Sequence, residues 1–91
     1  MHDEWTWTVG QVVSLFGIRG ELKIRIETDS PERFTTMKQV CLRRKSGAAQ
    51  LFDVESGRLH KGQALLKLKG INSIEDAQLW RGTTVQVTRD Q

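Results

Sequence analysis

Two glycines three residues apart, Gly17 and Gly20, bracket Ile18 and Arg19. Glycine takes a positive φ at no steric cost, so this spacing makes a tight loop whose tip carries only those two large side chains. A guanidinium held on such a tip has the geometry to fork onto a phosphate or to stack on a base. In KH modules a Gly-x-x-Gly loop clamps nucleic-acid backbone, but there it joins two helices. Here it lies between strand-like stretches, so that reading fails on context. Direct nucleic-acid contact by Arg19 stands beside a plainer alternative, a solvated arginine at a hairpin connection.

Two more basic groups sit beside turn signals. Arg43-Arg44-Lys45 precedes Ser46-Gly47, while Arg58, His60 and Lys61 precede Gly62. Together they are a candidate basic face for RNA or a protein partner. Hairpin ends also gather solvated charge, and no aromatic residue interleaves with these cations along the chain as a single-strand stacking platform requires. Trp5, Trp7 and Trp80 are read as core or interdomain packing rather than as base-binding plates.

Catalysis finds no such support. Cys41 lies in a strand-like stretch without an assigned His partner and reads as a buried structural thiol. Asp3-Glu4 and Glu75-Asp76 sit at a chain end and a helix start, where solvation and the helix dipole account for them. The chain has no phosphate loop and no dinucleotide fingerprint. No Cys/His grouping has zinc-ligand spacing. No catalytic residue, cofactor or metal ligand is assigned, and a binding role rather than an enzymatic one is expected.

The elements that must position these residues are mostly strands. Residues 21 to 27 alternate strictly, with Leu22, Ile24 and Ile26 on one face and Glu21, Lys23, Arg25 and Glu27 on the other, the period of a half-buried strand. Residues 5 to 15 form the preceding strand, with Trp5, Trp7, Val9, Val13 and Leu15 on one parity. Gln11 interrupts that parity while Gly10 and Val12 oppose it, which requires cover on both sides or a bulge near Gly10. At Asp29-Ser30-Pro31 a short helical turn is expected, with Asp29 or Ser30 as cap and Pro31 at the first helical position. Phe34 and Met37 then plug the open end of a sheet.

Gln39 to Arg44 reads as a third strand with Val40 and Leu42 inward. Leu51 to His60 is a fourth, in which Leu59 breaks the parity of Phe52 and Val54 unless a bulge at Ser56-Gly57 restores the phase. Gln63 to Lys69 follows as a hairpin partner, with Ala64, Leu66 and Leu68 against Gln63, Leu65, Lys67 and Lys69. A helix capped by Ser73 runs through Ala77, Leu79 and Trp80 and stops at Gly82. Thr83 to Thr88 closes the set with Val85 and Val87 inward. Six short strands, one short helix and one helical turn predict an all-β, small six-stranded antiparallel β-barrel, since closure removes exposed edges. A two-sheet sandwich is the alternative.

At 91 residues the chain has the size of a single domain with one core, and no second domain is expected within 1–91. One cysteine, with no basic and apolar leader and no stretch near the roughly 20 apolar residues of a membrane span, predicts a soluble cytoplasmic protein. Fourteen Lys and Arg against eleven Asp and Glu give a net charge of +3 and a pI near 9.4. That excess is mild support for a nucleic-acid neighbourhood, because phosphate contact rewards clustered charge.

Residues 9 to 24, Thr28-Asp29-Ser30-Pro31-Glu32-Arg33-Phe34, Arg58-Leu59-His60-Lys61-Gly62 and Ala77-Gln78-Leu79-Trp80-Arg81-Gly82 carry a resemblance. In order and spacing they resemble the N-terminal domain of the RimM family of bacterial small-subunit ribosome maturation factors. Gly-Ile-Arg-Gly-Glu is the most specific segment. The resemblance implies a translation-factor-like barrel followed, in such proteins, by a linker with aromatics and a C-terminal PRC-type barrel absent from this chain. It also implies binding to the immature small ribosomal subunit, help in processing and folding its head-region rRNA, a head ribosomal protein as partner, and no enzymatic activity. A monomer is expected.

The alternative function is a protein-interaction or structural support barrel for a second domain, with no direct RNA contact; Arg19 would then pack against that domain. Two positions depart from the family pattern. Phe16 stands where many relatives have His, which argues against proton transfer or metal binding there. Trp80 occupies a usually aliphatic place and reads as buried packing.

Overall fold

A computed structural model describes residues 7–88. Six antiparallel strands close into a ring in the order β1-β2-β5-β4-β3-β6. They are β1 (Trp7–Phe16), β2 (Glu21–Ile26), β3 (Gln39–Arg43), β4 (Ala49–His60), β5 (Gln63–Leu68) and β6 (Thr84–Val87), with a 3₁₀ turn at Pro31–Thr35 and one helix, α1 (Ile74–Gln78). The barrel predicted from strand count is the observed fold; the sandwich is not.

The strict alternation of β2 puts Leu22 and Ile24 wholly inside, opposite Leu66 and Ala64 of β5. Val40, Leu42, Val85 and Val87 fill the same core, joined as expected by Phe34 of the 3₁₀ turn and by Met37 just after it. Pro31 occupies the start of that turn, but the Ser30 side chain makes no capping bond. Instead Thr28 Oγ1 accepts from the Ser30 N–H at 3.2 Å.

The single parity expected for the first strand does not hold. Trp7 is 43% exposed, whereas Val9 and Val12 are both core residues. Two irregularities explain this: one between Thr8 and Gly10 against β6, and one between Val12 and Ser14 against β2. Each extra residue flips the side chains that follow it, so inward positions fall at Val9, Val12 and the partly buried Leu15. The expected bulge near Gly10 is one of the two. Trp5 lies outside the described residues.

In β4 the bulge falls between Val54 and Ser56, just before the expected Ser56-Gly57. It brings Gly57 and Leu59 into phase with Leu66 and Ala64. The position is dictated by Gly57, where any Cβ would collide with the Phe34 carbonyl. β4 also begins at Ala49 rather than Leu51.

On β5 the outer face is not a solvated face. Leu65 is fully buried and Lys67 is 4% exposed. The Lys67 ammonium donates to the carbonyl oxygens of Leu68 and Ile71 and, at 3.0 Å, to Asn72 Oδ1, with Glu55 Oε2 3.8 Å away. These bonds tie the connection after β5 to the barrel. Ser73 then caps α1 as expected, its Oγ accepting from Asp76 N at 3.1 Å. The helix ends at Gln78 rather than at Gly82; i→i+3 turns carry the chain past Trp80 to Gly82, whose φ is +88° and whose N–H donates to Val12 O at 2.8 Å.

Candidate nucleic-acid interface

The loop at residues 17–20 joins β1 to β2, with positive φ at Gly17 and Gly20. Gly20 lies against the start of α1, where a Cβ would sit 2.5 Å from Ser73 O. One side of the loop is therefore seated on the fold, while Ile18 is 85% exposed and Arg19 is exposed. Arg19 makes no hydrogen bond or ion pair with any described residue.

Immediately before the loop, Phe16 pairs with Glu21 and so shares the outer face of β2 with Lys23. Across the sheet Lys23 pairs with Leu65, and Leu65 pairs with Arg58. The ring of Phe16 gathers these neighbours. Lys23 Nζ and Arg58 Cζ each lie 5.5 Å from its centroid, and the His60 ring lies 5.1 Å away, tilted by 55°. Glu21 Oε1 approaches Arg58 at 3.4 Å and offsets part of the positive charge. The Arg58 side chain is 55% exposed and that of Glu21 14%, so the arginine end of the pair is open to solvent.

An aromatic ring flanked by cations suits an unpaired nucleotide, whose base stacks and whose phosphates meet Lys and Arg. Interleaving that is absent along the chain is thus present across the strands. Phe16 and Lys23 were not among the sequence candidates. Pairing across the four-residue loop would have placed both on the outer face, had the register been known.

The six other basic candidates do not form one face. Arg43-Arg44-Lys45 lies at the β3–β4 turn, and Lys61-Gly62 forms the β4–β5 turn at the opposite end of β4. Twelve residues of straight strand would separate these ends by roughly 36 Å. Arg43 is a strut: its Nε donates to Gln86 Oε1 at 2.8 Å and its guanidinium also donates to Gly47 O at 3.0 Å. Arg44 instead covers the ring of Trp80 at 4.3 Å, and Lys45 is exposed. Trp80 is half-buried rather than fully buried, packed edge-on against Phe52 with centroids 5.0 Å apart. Cys41 is buried. Among the described residues no group of three or more His, Cys, Asp and Glu could hold a metal ion, and no helix is long and apolar enough to cross a membrane.

Residues 7–91 match the family model described as the RimM N-terminal domain. The chain belongs to that family. It is 35% identical over 81 residues to the ribosome maturation factor RimM of Ruminiclostridium cellulolyticum, covering 89% of this chain and 47% of that protein. RimM of Limosilactobacillus fermentum is 38% identical over 82 residues, covering 89% and 48%. Among solved structures, a 16S ribosomal RNA processing protein RimM of Pseudomonas aeruginosa superposes with a TM-score of 0.82 at 32% identity, covering 92% of this chain and 51% of that one. The chain spans about half the length of the curated relatives it matches.

Proposed function

We propose that this barrel is the N-terminal part of a small-subunit maturation factor, assisting assembly and rRNA processing by binding the immature head region without catalysis. Its relatives are named ribosome maturation factors and 16S rRNA processing proteins, which supports the general role. The single observation that carries RNA contact is Phe16 set among Lys23, Arg58 and His60 on the outer face of β2, β5 and β4. Arg19 on its loop, Lys61 at the β4–β5 turn, and Arg44 and Lys45 at the far end of β4 supply further phosphate contacts. Arg43 acts through its bonds within the fold.

Maturation by binding requires unequal affinity: a factor that holds immature and mature surfaces equally shifts neither. The barrel holds an unpaired head-region strand while it is accessible and leaves when folding buries it. Co-sedimentation of the full-length protein with immature and mature subunits tests this. Preferential pelleting with immature subunits is expected; equal pelleting with both would end the proposal.

A second reading, a protein-interaction or support barrel with no direct RNA contact, draws on a different feature. A cleft of about 470 Å³ lined by Ile26, Pro31, Leu59, His60, Lys61 and Gly62 opens beside the 3₁₀ turn. Binding to a head ribosomal protein that survives loss of all rRNA binding would favour this reading.

A further inference from the structure

We infer that a second cleft, between Trp80 and the β3–β4 turn, is a pocket for a single unstacked RNA base, separate from the Phe16 cluster. The inference rests on the RNA-binding reading and adds to it a site with its own ligand geometry. Arg44, Ala48, Ala49, Gln50 and Trp80 line this cleft, which holds about 140 Å³. That is well below the roughly 300 Å³ at which pockets for drug-sized ligands begin, and it suits one planar heterocycle.

Trp80 is built as a plate. Its ring meets Phe52 edge-on at 82°, while its backbone N–H donates to Ala77 O at 3.0 Å and its backbone carbonyl accepts from Thr83 Oγ1 at 2.6 Å. The backbone of the residue is thus fixed, and Trp80 lines the cleft. The Arg44 guanidinium covers the indole face, and the small side chains of Ala48 and Ala49 line the rest of the cleft. Gln50 pairs with Leu42 of the core and so lies at the rim on the inward parity, where its amide offers both a donor and an acceptor to a base edge.

Charge selects the ligand class. Arg44 already rests on the indole ring at 4.3 Å, Lys45 and Arg81 flank it in sequence, and no Asp or Glu lines the cleft. A nucleotide uses every part of this arrangement: its base takes the indole face, and its phosphate takes the displaced guanidinium. An acidic peptide would satisfy the cations and leave the plate idle.

The test uses Trp5→Phe/Trp7→Phe protein, in which Trp80 is the only tryptophan. Its fluorescence is followed during titration with a five-uridine oligoribonucleotide, with an abasic ribose-phosphate strand of equal length, and with oligoglutamate. Quenching by the uridine strand is expected, with about tenfold tighter binding than the abasic strand. Gln50→Ala should reduce that preference, whereas Arg44→Gln should weaken binding of both strands alike; both positions are exposed. Equal affinity for base-bearing and abasic strands, or equal quenching by oligoglutamate, would overturn the inference. Phe16→Ala/Arg58→Ala separates the two sites. If it abolishes binding to immature subunits while Trp80 shows no base preference, only the cleft falls; if subunit binding is untouched while the Trp80 preference holds, only the outer-face reading falls.

Discussion

Gly57 of β4 passes directly beneath the backbone carbonyl of Phe34, closely enough that a Cβ at position 57 would collide with that oxygen and reach 2.9 Å from Leu66 Cδ2. This contact is what lets the 3₁₀ turn seat Phe34 in the mouth of the barrel. Backbone cannot yield as a flexible side chain does, so Gly57→Ala should destabilise the fold by about 2 kcal/mol. Urea denaturation should show a lower midpoint at unchanged slope.

Gly17 and Gly20 have similar positive φ values, +74° and +79°, but different surroundings. Gly17 faces open space, whereas Gly20 abuts Ser73 at the start of α1. Gly17→Ala should cost about 1 kcal/mol from backbone conformation alone. Gly20→Ala should cost distinctly more, and amide exchange should rise in α1 for this variant only.

Lys67 and Lys69 look alike in sequence and are not alike in the fold. Removing the Lys67 ammonium strands the Leu68, Ile71 and Asn72 oxygens that accept from it. Lys67→Met should therefore destabilise by about 3 kcal/mol, because acceptors left without donors keep their full desolvation cost. The same change at the exposed Lys69 should be near neutral in a thermal melt.

The β4–β5 turn has Lys61 at φ +51° followed by Gly62 at +81°, the pattern of a two-residue hairpin turn that favours Asn-Gly or Gly-Gly. Lys61→Asn should stabilise the hairpin by about 0.5–1 kcal/mol. If Lys61 also contacts phosphate, the same variant should bind rRNA more weakly while melting higher, a separation of stability from binding that one titration and one melt resolve.

The barrel was legible because β2, β3, β5 and β6 alternate in sequence, and Pro31 at the start of the 3₁₀ turn and the Ser73 cap are local signals. In β1 the broken parity points to the bulge near Gly10, whereas the one between Val12 and Ser14 depends on pairing with β2 and has no local signal. The burial of Lys67 has no signal in the strand itself, because its acceptors come from the connection that follows β5. The candidate site was half legible. Arg58 and His60 were named from their turn, but Phe16 joins them only through the pairing of β1, β2, β5 and β4. Arg43 and Arg44 are neighbours in sequence with different fates, one bonded to Gln86 and the other laid on Trp80.

The outer-face claim is tested most directly by the salt dependence of binding to small-subunit head-region rRNA. Lys23→Ala and Arg58→Ala should each flatten the plot of log affinity against log salt by about 0.7, the share of one phosphate contact on a single strand. Lys69→Ala should leave the slope unchanged. Slopes equal to the parent in both outer-face variants, with affinity retained, would contradict the assignment of this face to RNA.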